Sequence, residues 1–315
     1  MAQQIWATST LGGYATNNRL SKIMREQAQP MFAFRQFVQV KEGGSGKGDT
    51  VYFDKSLAMD TKGGTLAETS TIPANLSKMQ KGSVQVTEYG NGIAFSEKLD
   101  TLAEFNMKNQ YSKWLVNDHK KVTDSVCATQ FKTARFRAVA TSTSSTVFTT
   151  NSVFTATANA NASDKTIRDV VDYLKQKWVP KYGGGKDYIG IVSVNTQRGV
   201  YDFLQAIMQY TTPEFTYNSE LGRYYNCRMV EDTAYLSDSV GTGSVFGEGI
   251  FFGDEAVMEA VALPEEIRYE EKDFGRDKRL AWYGILGWTK MWDLSNDDLN
   301  STGKGIERIV YLGSA

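Results

Sequence analysis

The chain has 315 residues, enough for one large or two ordinary domains, and an apolar content of 41% that suffices for a globular core. Its 35 Lys and Arg stand against 36 Asp and Glu, so net charge supplies no strong field to hold nucleic acid or a membrane. Cys127 and Cys227 are too few and too far apart for a disulfide framework or metal cluster, which fits a reducing compartment, and no apolar run approaches the ~20 residues that span a bilayer. The opening Met1-Ala2-Gln3-Gln4-Ile5-Trp6 lacks a basic and an apolar region, so no secretory signal is expected.

Residues 1–45 read as an extended arm with one short helix over Arg19–Gln29, ended by Pro30. Phe32, Phe34, Phe37, Val38 and Val40 follow as a strand, and Gly43 to Gly48 as a hinge. Thr50-Val51-Tyr52-Phe53 and Val84-Gln85-Val86-Thr87-Glu88-Tyr89 predict two strands of a long hairpin. The connection between them is rich in Gly, Thr and Lys and has little to pack. An isolated hairpin is marginal in water, and loops beyond ~15 residues are usually functional or disordered, so a neighbouring subunit is expected to complete this arm.

Thr101-Leu102-Ala103-Glu104 matches a capping box, and no Gly or Pro interrupts the chain from there to about Arg137. Tyr111, Leu115, Val122 and Val126 keep near-helical spacing, predicting a strut roughly 50 Å long. Residues 141–162 are rich in Ser, Thr, Ala and Asn and read as a surface loop. Ser163 caps a second helix with an apolar stripe of Ile167, Val170, Val171, Leu174 and Trp178. Tyr188–Val194 is a buried type of strand, and Asn195 or Thr196 is expected to cap a third helix through Val200, Phe203, Leu204 and Ile207. Strands are expected at Arg228–Val230, Val245–Phe252, Val257–Leu263 and Ile267–Glu270, then along the aromatic run Arg279–Trp292, and finally at Ile306–Tyr311. The class is α+β.

Each candidate for chemistry fails its own requirement. His119, the one histidine, has no partner nucleophile in sequence and reads as a packed or exposed helix residue. Gly43 to Gly48 has Lys41 where a phosphate loop needs its first Gly, and a strand follows it. Asp293 to Asp298 lacks the Gly and Glu of a calcium loop. Trp282, Tyr283, Trp288 and Trp292 could stack bases, but few basic residues surround them and a sheet face packed on the strut fits better. No catalytic, cofactor-binding or metal site is read from the chain, and it is not read as an enzyme.

The order of parts carries a resemblance. Gly63-Gly64-Thr65-Leu66-Ala67-Glu68 in the arm, Thr87-Glu88-Tyr89-Gly90 on the returning strand, the run Ser219 to Glu231, and Arg279 to Trp288 each match short motifs. Together they resemble the tailed-phage major capsid proteins of the Hong Kong ninety-seven (HK97-like) fold, and more narrowly the capsid family named after phage N-four. Thr69 stands where that family carries Gly, and the stretch 141–162 has no counterpart. The resemblance implies an N-terminal arm over 1–45, an E-loop hairpin over 46–98 and a spine helix of the peripheral domain over 99–140. After the loop 141–162 it implies an axial domain over 163–262 and C-terminal strands over 263–315 that return to the peripheral domain. It implies E-loop contacts between subunits, with Lys62, Glu68, Lys78 and Tyr89 as candidates. Some relatives crosslink a Lys to an Asn of another subunit, and Lys62 is the candidate lysine. The implied partners are the chain itself in hexamers and pentamers, a portal protein, packaged double-stranded DNA bound non-specifically and, optionally, a decoration protein. Only about 45 residues precede the hairpin, too few for a fused scaffolding domain, so the scaffold is expected as a separate protein. The expected location is the virion, after assembly in the host cytoplasm. The alternative is another phage structural subunit, a tail-tube or head-completion protein; a helix of spine length directly after the arm favours the capsid.

Overall fold

A computed structural model describes residues 33–43, 48–57, 64–68, 71–72, 79–103, 107–156, 158–194, 196, 199–200, 223–236, 247–293 and 304–314. The expected helix before Pro30, the run Ser219 to Gly222 and the turn Asn296–Asp298 lie outside them. In chain order the elements are β1 (Gln39–Glu42), β2 (Thr50–Ser56), β3 (Met79–Gln85), β4 (Thr87–Ser96), α1 (Glu97–Leu102), α2 (Met107–Lys132), β5 (Phe136–Ser142) and β6 (Ser145–Thr149). There follow α3 (Asp164–Gln176), β7 (Tyr188–Ser193), β8 (Arg223–Tyr224), β9 (Cys227–Asp232), β10 (Gly247–Phe252), β11 (Val257–Lys272), β12 (Asp277–Lys290) and β13 (Ile309–Ser314).

The described residues fall into two compact units. The first holds Glu88–Val122 and Pro264–Ile285. Here β11, β12 and β4 lie side by side in one sheet, and its core joins Phe95, Leu280 and Trp282 to Tyr111 and Leu115 of α2. Tyr111 and Leu115 are four residues apart and share one helix face, as their spacing predicts. The Trp282 indole N–H donates to Asp118 at 2.9 Å, satisfying the one polar atom of a ring that is 3% exposed. His119 packs edge-on against Trp282 and lies 3.4 Å from Glu265, so it is a packed residue of the sheet–helix contact.

The second unit holds Thr123–Leu263, Leu286 onwards and the described residues up to Thr87. Its seven-stranded sheet runs β6-β5-β13-β10-β7-β9-β8. The pairs β13–β5 and β7–β9 are parallel, and the other described pairs of this sheet are antiparallel. Central strands β7 and β10 are buried along their whole length, which is why β7 reads as a nearly continuous apolar run and not as an alternation, while β10 carries the buried Glu248. Ile167, Val170, Val171 and Leu174 of α3 cover this sheet at Phe136, Tyr188, Val192, Phe251, Val310 and Leu312. Ser163 and Thr166 close a reciprocal capping box at the start of α3.

Two buried polar anchors hold this unit. Glu248, 3% exposed, accepts from Lys132 at 2.7 Å and from the Tyr311 hydroxyl, and the Arg137 guanidinium stacks 4.3 Å from the Tyr311 ring. On the other side, Asp124 of α2 accepts the backbone N–H groups of Ala33 (3.2 Å) and Arg35 (2.8 Å), while Arg35 pairs with buried Glu259 at 2.8 Å. The chain is thus pinned to α2 just before β1, which pairs in parallel with β11 from Gln39↔Met258 to Glu42↔Val261.

Several expectations are corrected. The strut begins at Met107 and ends at Lys132, about 39 Å long, because Phe136–Ser142 is taken by the sheet beside β13. Thr101 lies near the end of the separate helix α1, whose cap is Ser96, accepting from the Leu99 N–H. The Ser/Thr-rich stretch is not only loop: its start completes β5 and forms β6, joined across Thr143-Ser144. Trp178 leaves the α3 stripe and stands 67% exposed, since the helix ends at Gln176. Asn195, Phe203, Leu204 and Ile207 of the expected third helix lie outside the described residues; after β7 the Ser193 hydroxyl accepts from the Thr196 N–H. The strands expected at Val257–Leu263 and Ile267–Glu270 are one strand through Pro264. β1 pairs with this strand over Met258–Val261, before Pro264. The last strand is Ile309–Ser314, three residues later than expected.

Glu307 is buried beside Lys290, which donates to it at 3.1 Å. Burial pushes its carboxyl up to about 7 against the pull of Lys290 and the Arg135 N–H. An acid whose folded value exceeds its unfolded one makes the fold bind protons more tightly than the unfolded chain. Stability is therefore expected to fall as pH rises from about 4.5 to about 7 on account of this group. Glu307→Gln should flatten that part of the Tm-against-pH curve and raise Tm at pH 8; equal slopes in both proteins would refute the assignment.

Candidate assembly interface

The arm is the antiparallel pair β2–β3, in register from Thr50↔Gln85 to Ser56↔Met79. The returning run expected over Val84–Tyr89 is split at Val86: Gln85 ends the pairing with β2, and Thr87 begins β4 in the other sheet. Alternation gives the hairpin one buried face, made of Val51, Phe53, Lys55 and Val84. Phe53 sits directly opposite Gly82, and a Cβ on Gly82 would come within 2.2 Å of its ring, so the aromatic fills the space a side chain would take. The Lys55 ammonium is 5.3 Å from the Phe53 ring centroid and 5.6 Å from that of Trp292, a charge held over two π faces while its residue is 8% exposed.

The base of the hairpin is fixed by close backbone approach. The Gln85 carbonyl oxygen lies 2.3 Å from where a Cβ on Gly287 would stand, and the Val86 N–H donates to Asp49 at 2.9 Å. The opposite face is open, with Tyr52 62% and Met79 76% exposed. The described pairing runs as far as Ser56 and Met79. The described residues of the tip, 64–68 and 71–72, are all exposed, and they include Leu66 and Ile72.

Of the candidate contact residues, Glu68 is exposed at this tip. Lys62 and Lys78 lie outside the described residues. Tyr89 belongs to β4 and is half-buried against the core of the first unit, so its ring faces that unit's interior.

A second surface was not foreseen. On the outer face of the first unit's sheet, Gly92, Ala94 and Ala281 floor a groove of about 530 Å³, flanked by Arg268, Tyr269, Glu270 and Arg279. The signal for it is the alternation Gly90-x-Gly92-x-Ala94, which leaves one face of β4 without large side chains.

No family model matches the chain, and no curated protein sequence matches it. Solved structures do. The capsid of Ralstonia phage GP4 superposes with a TM-score of 0.68 at 15% identity, over 99% of this chain and 98% of that one. The head of Helicobacter pylori bacteriophage KHP40 gives a TM-score of 0.68 at 12% identity over 96% and 97% of the two chains. The capsid of cyanophage Pam1 gives 0.62 at 15% identity over the whole of both. The chain has the tailed-phage capsid fold, HK97-like. The narrower likeness to the phage N-four family rests on sequence motifs alone.

Two measurements follow from this geometry. Gly287→Ala should lift the hairpin base and cost about 1–3 kcal/mol, the usual penalty of overpacking, read as a lower Tm and faster amide exchange in Thr50–Ser56. In the unassembled wild type, exchange should be slow in Thr50–Ser56 and fast over 64–72. Full protection of 64–72 in a lone protomer would remove the case that the tip depends on a neighbour.

Proposed function

We propose that this chain is the major capsid protein of a tailed phage, assembling into hexamers and pentamers of an icosahedral head around double-stranded DNA. The observation that carries the reading is a fold match running the full length of capsid proteins, combined with an arm that has a packed base and an exposed tip. Such an arm donated around a ring forms a heterologous interface that closes by rotation.

In this reading the arm is the E-loop, α2 the spine, and residues 163–262 the axial domain. The tip of one copy lies in the groove over Gly92, Ala94 and Ala281 of its neighbour, with Glu68 meeting Arg268 or Arg279. The chain is structural and not an enzyme. It resides in the virion after assembly in the host cytoplasm, with a separate scaffolding protein and a portal, and with a decoration protein as an optional outer layer. Stable contacts bury ~1,600 Å², and several neighbours per copy supply enough area for a chain of nearly zero net charge to assemble without a cofactor.

The test is expression with the scaffold, viewed by electron microscopy. Closed shells are expected; open tubes would support the tail-tube alternative, and monomers neither. Ala94→Trp, which fills the groove from an exposed position, should abolish shells while leaving the protomer's Tm unchanged. Normal shells from that variant would remove the groove from the interface.

A further inference from the structure

Helix α3 ends in a turn whose hydrogen bonds define a left-handed stop: the Trp178 N–H donates to Lys175 and the Val179 N–H to Leu174. The residue in the left-handed position of such a stop is usually Gly, because a Cβ there is strained. Here it is Trp178, at φ 59°, with its indole 67% exposed. A large aromatic held in a costly conformation and shown to solvent is not explained by the fold, since Gly would serve the fold better.

Its surroundings are basic. From Tyr173 to Lys186 the chain carries Lys175, Lys177, Lys181 and Lys186 and no acidic residue. The flanking acids are already engaged, Asp172 by Lys175 and Asp187 by Arg223. Lys304 comes from a distant part of the chain and sets its ammonium 4.6 Å from the Trp178 ring, while Gly305 donates to the Lys177 carbonyl. Beside them Gly183 and Gly184 have open space where side chains would be, so a ligand can approach their backbone.

We propose that Trp178, Lys177, Lys181, Lys186 and Lys304 form a contact for the phosphodiester backbone of duplex DNA. Protein interfaces are depleted in Lys, so an exposed Trp with Lys304 at its ring and further lysines close to it in the chain is poorly suited to a protein partner. Lysine ammonium groups act as point charges on phosphates, and the indole N–H is a donor with no acceptor function. Overall neutrality does not oppose this, because phosphate contacts depend on local cations within a Debye length of ~10 Å. The inference rests on the capsid reading only for the presence of duplex DNA beside the chain.

The experiment measures binding of the full-length protein to a mixed-sequence 24-base-pair duplex as a function of salt, beside shell formation by microscopy. Four phosphate contacts predict a slope of log K against log salt of about −3 to −4, and Lys304→Gln should reduce its magnitude by about 0.9. Trp178→Gly should raise Tm by about 1–3 °C yet weaken duplex binding several-fold, a pairing that a purely structural Trp would not produce. Unchanged affinity in Trp178→Gly and in Lys181→Gln/Lys186→Gln would overturn the proposal, as would polyglutamate competing as well as duplex at equal charge. Shells should close in all these variants as in the wild type; failure of the wild type itself to form shells would count against the capsid reading and not against this contact.

Discussion

The structure depends on a hairpin that is half anchored. Its base has a buried face, a ring laid over a glycine and a backbone oxygen pressed against Gly287, so the first seven residue pairs are as fixed as the sheet beneath them. Of the described residues beyond that point, Leu66 and Ile72 are set in water. Burial of apolar surface gives roughly 25 cal/mol per Å², so a tip left in solvent forgoes that stabilisation until another surface covers it. A rigid root with an exposed apolar tip can be aimed in advance and gain the free energy of burial only when another surface covers it.

The anchors in the second unit serve the same end. Glu248, Lys132 and Tyr311 join the C-terminal end of α2 to two strands of the large sheet, and Asp124 and Glu259 hold the chain just before β1. Buried charges are costly unless paired and hydrogen-bonded. Here each has partners, which makes these ties directional: they favour one arrangement of helix, strand and incoming chain over slipped alternatives.

Much of this was legible in the sequence wherever periodicity and burial coincide. The α3 stripe, the Ser163 cap, the fully apolar β7 and the hairpin could be read because local pattern and tertiary environment agree there. The errors came where tertiary pairing overrode local preference. Phe136–Ser142 has no helix breaker and would extend the strut, but parallel pairing with β13 claims it. Val84–Tyr89 looks like one strand because strands of two different sheets meet at Val86 without a turn residue between them. The groove on β4 is a property of what is missing from one face, which a search for chemically active residues passes over.

The positions that most oppose local rules are informative for the same reason. Asp273 and Phe274 both take left-handed backbone in the β11–β12 turn, and Phe274 is fully exposed there; Trp178 does the same at the end of α3. Each such residue costs about 1–2 kcal/mol relative to glycine, and none recovers that cost by burial within its own chain. Selection for protomer stability alone would replace them. Exposed and strained at once, such residues add nothing to the protomer and are placed to meet another molecule.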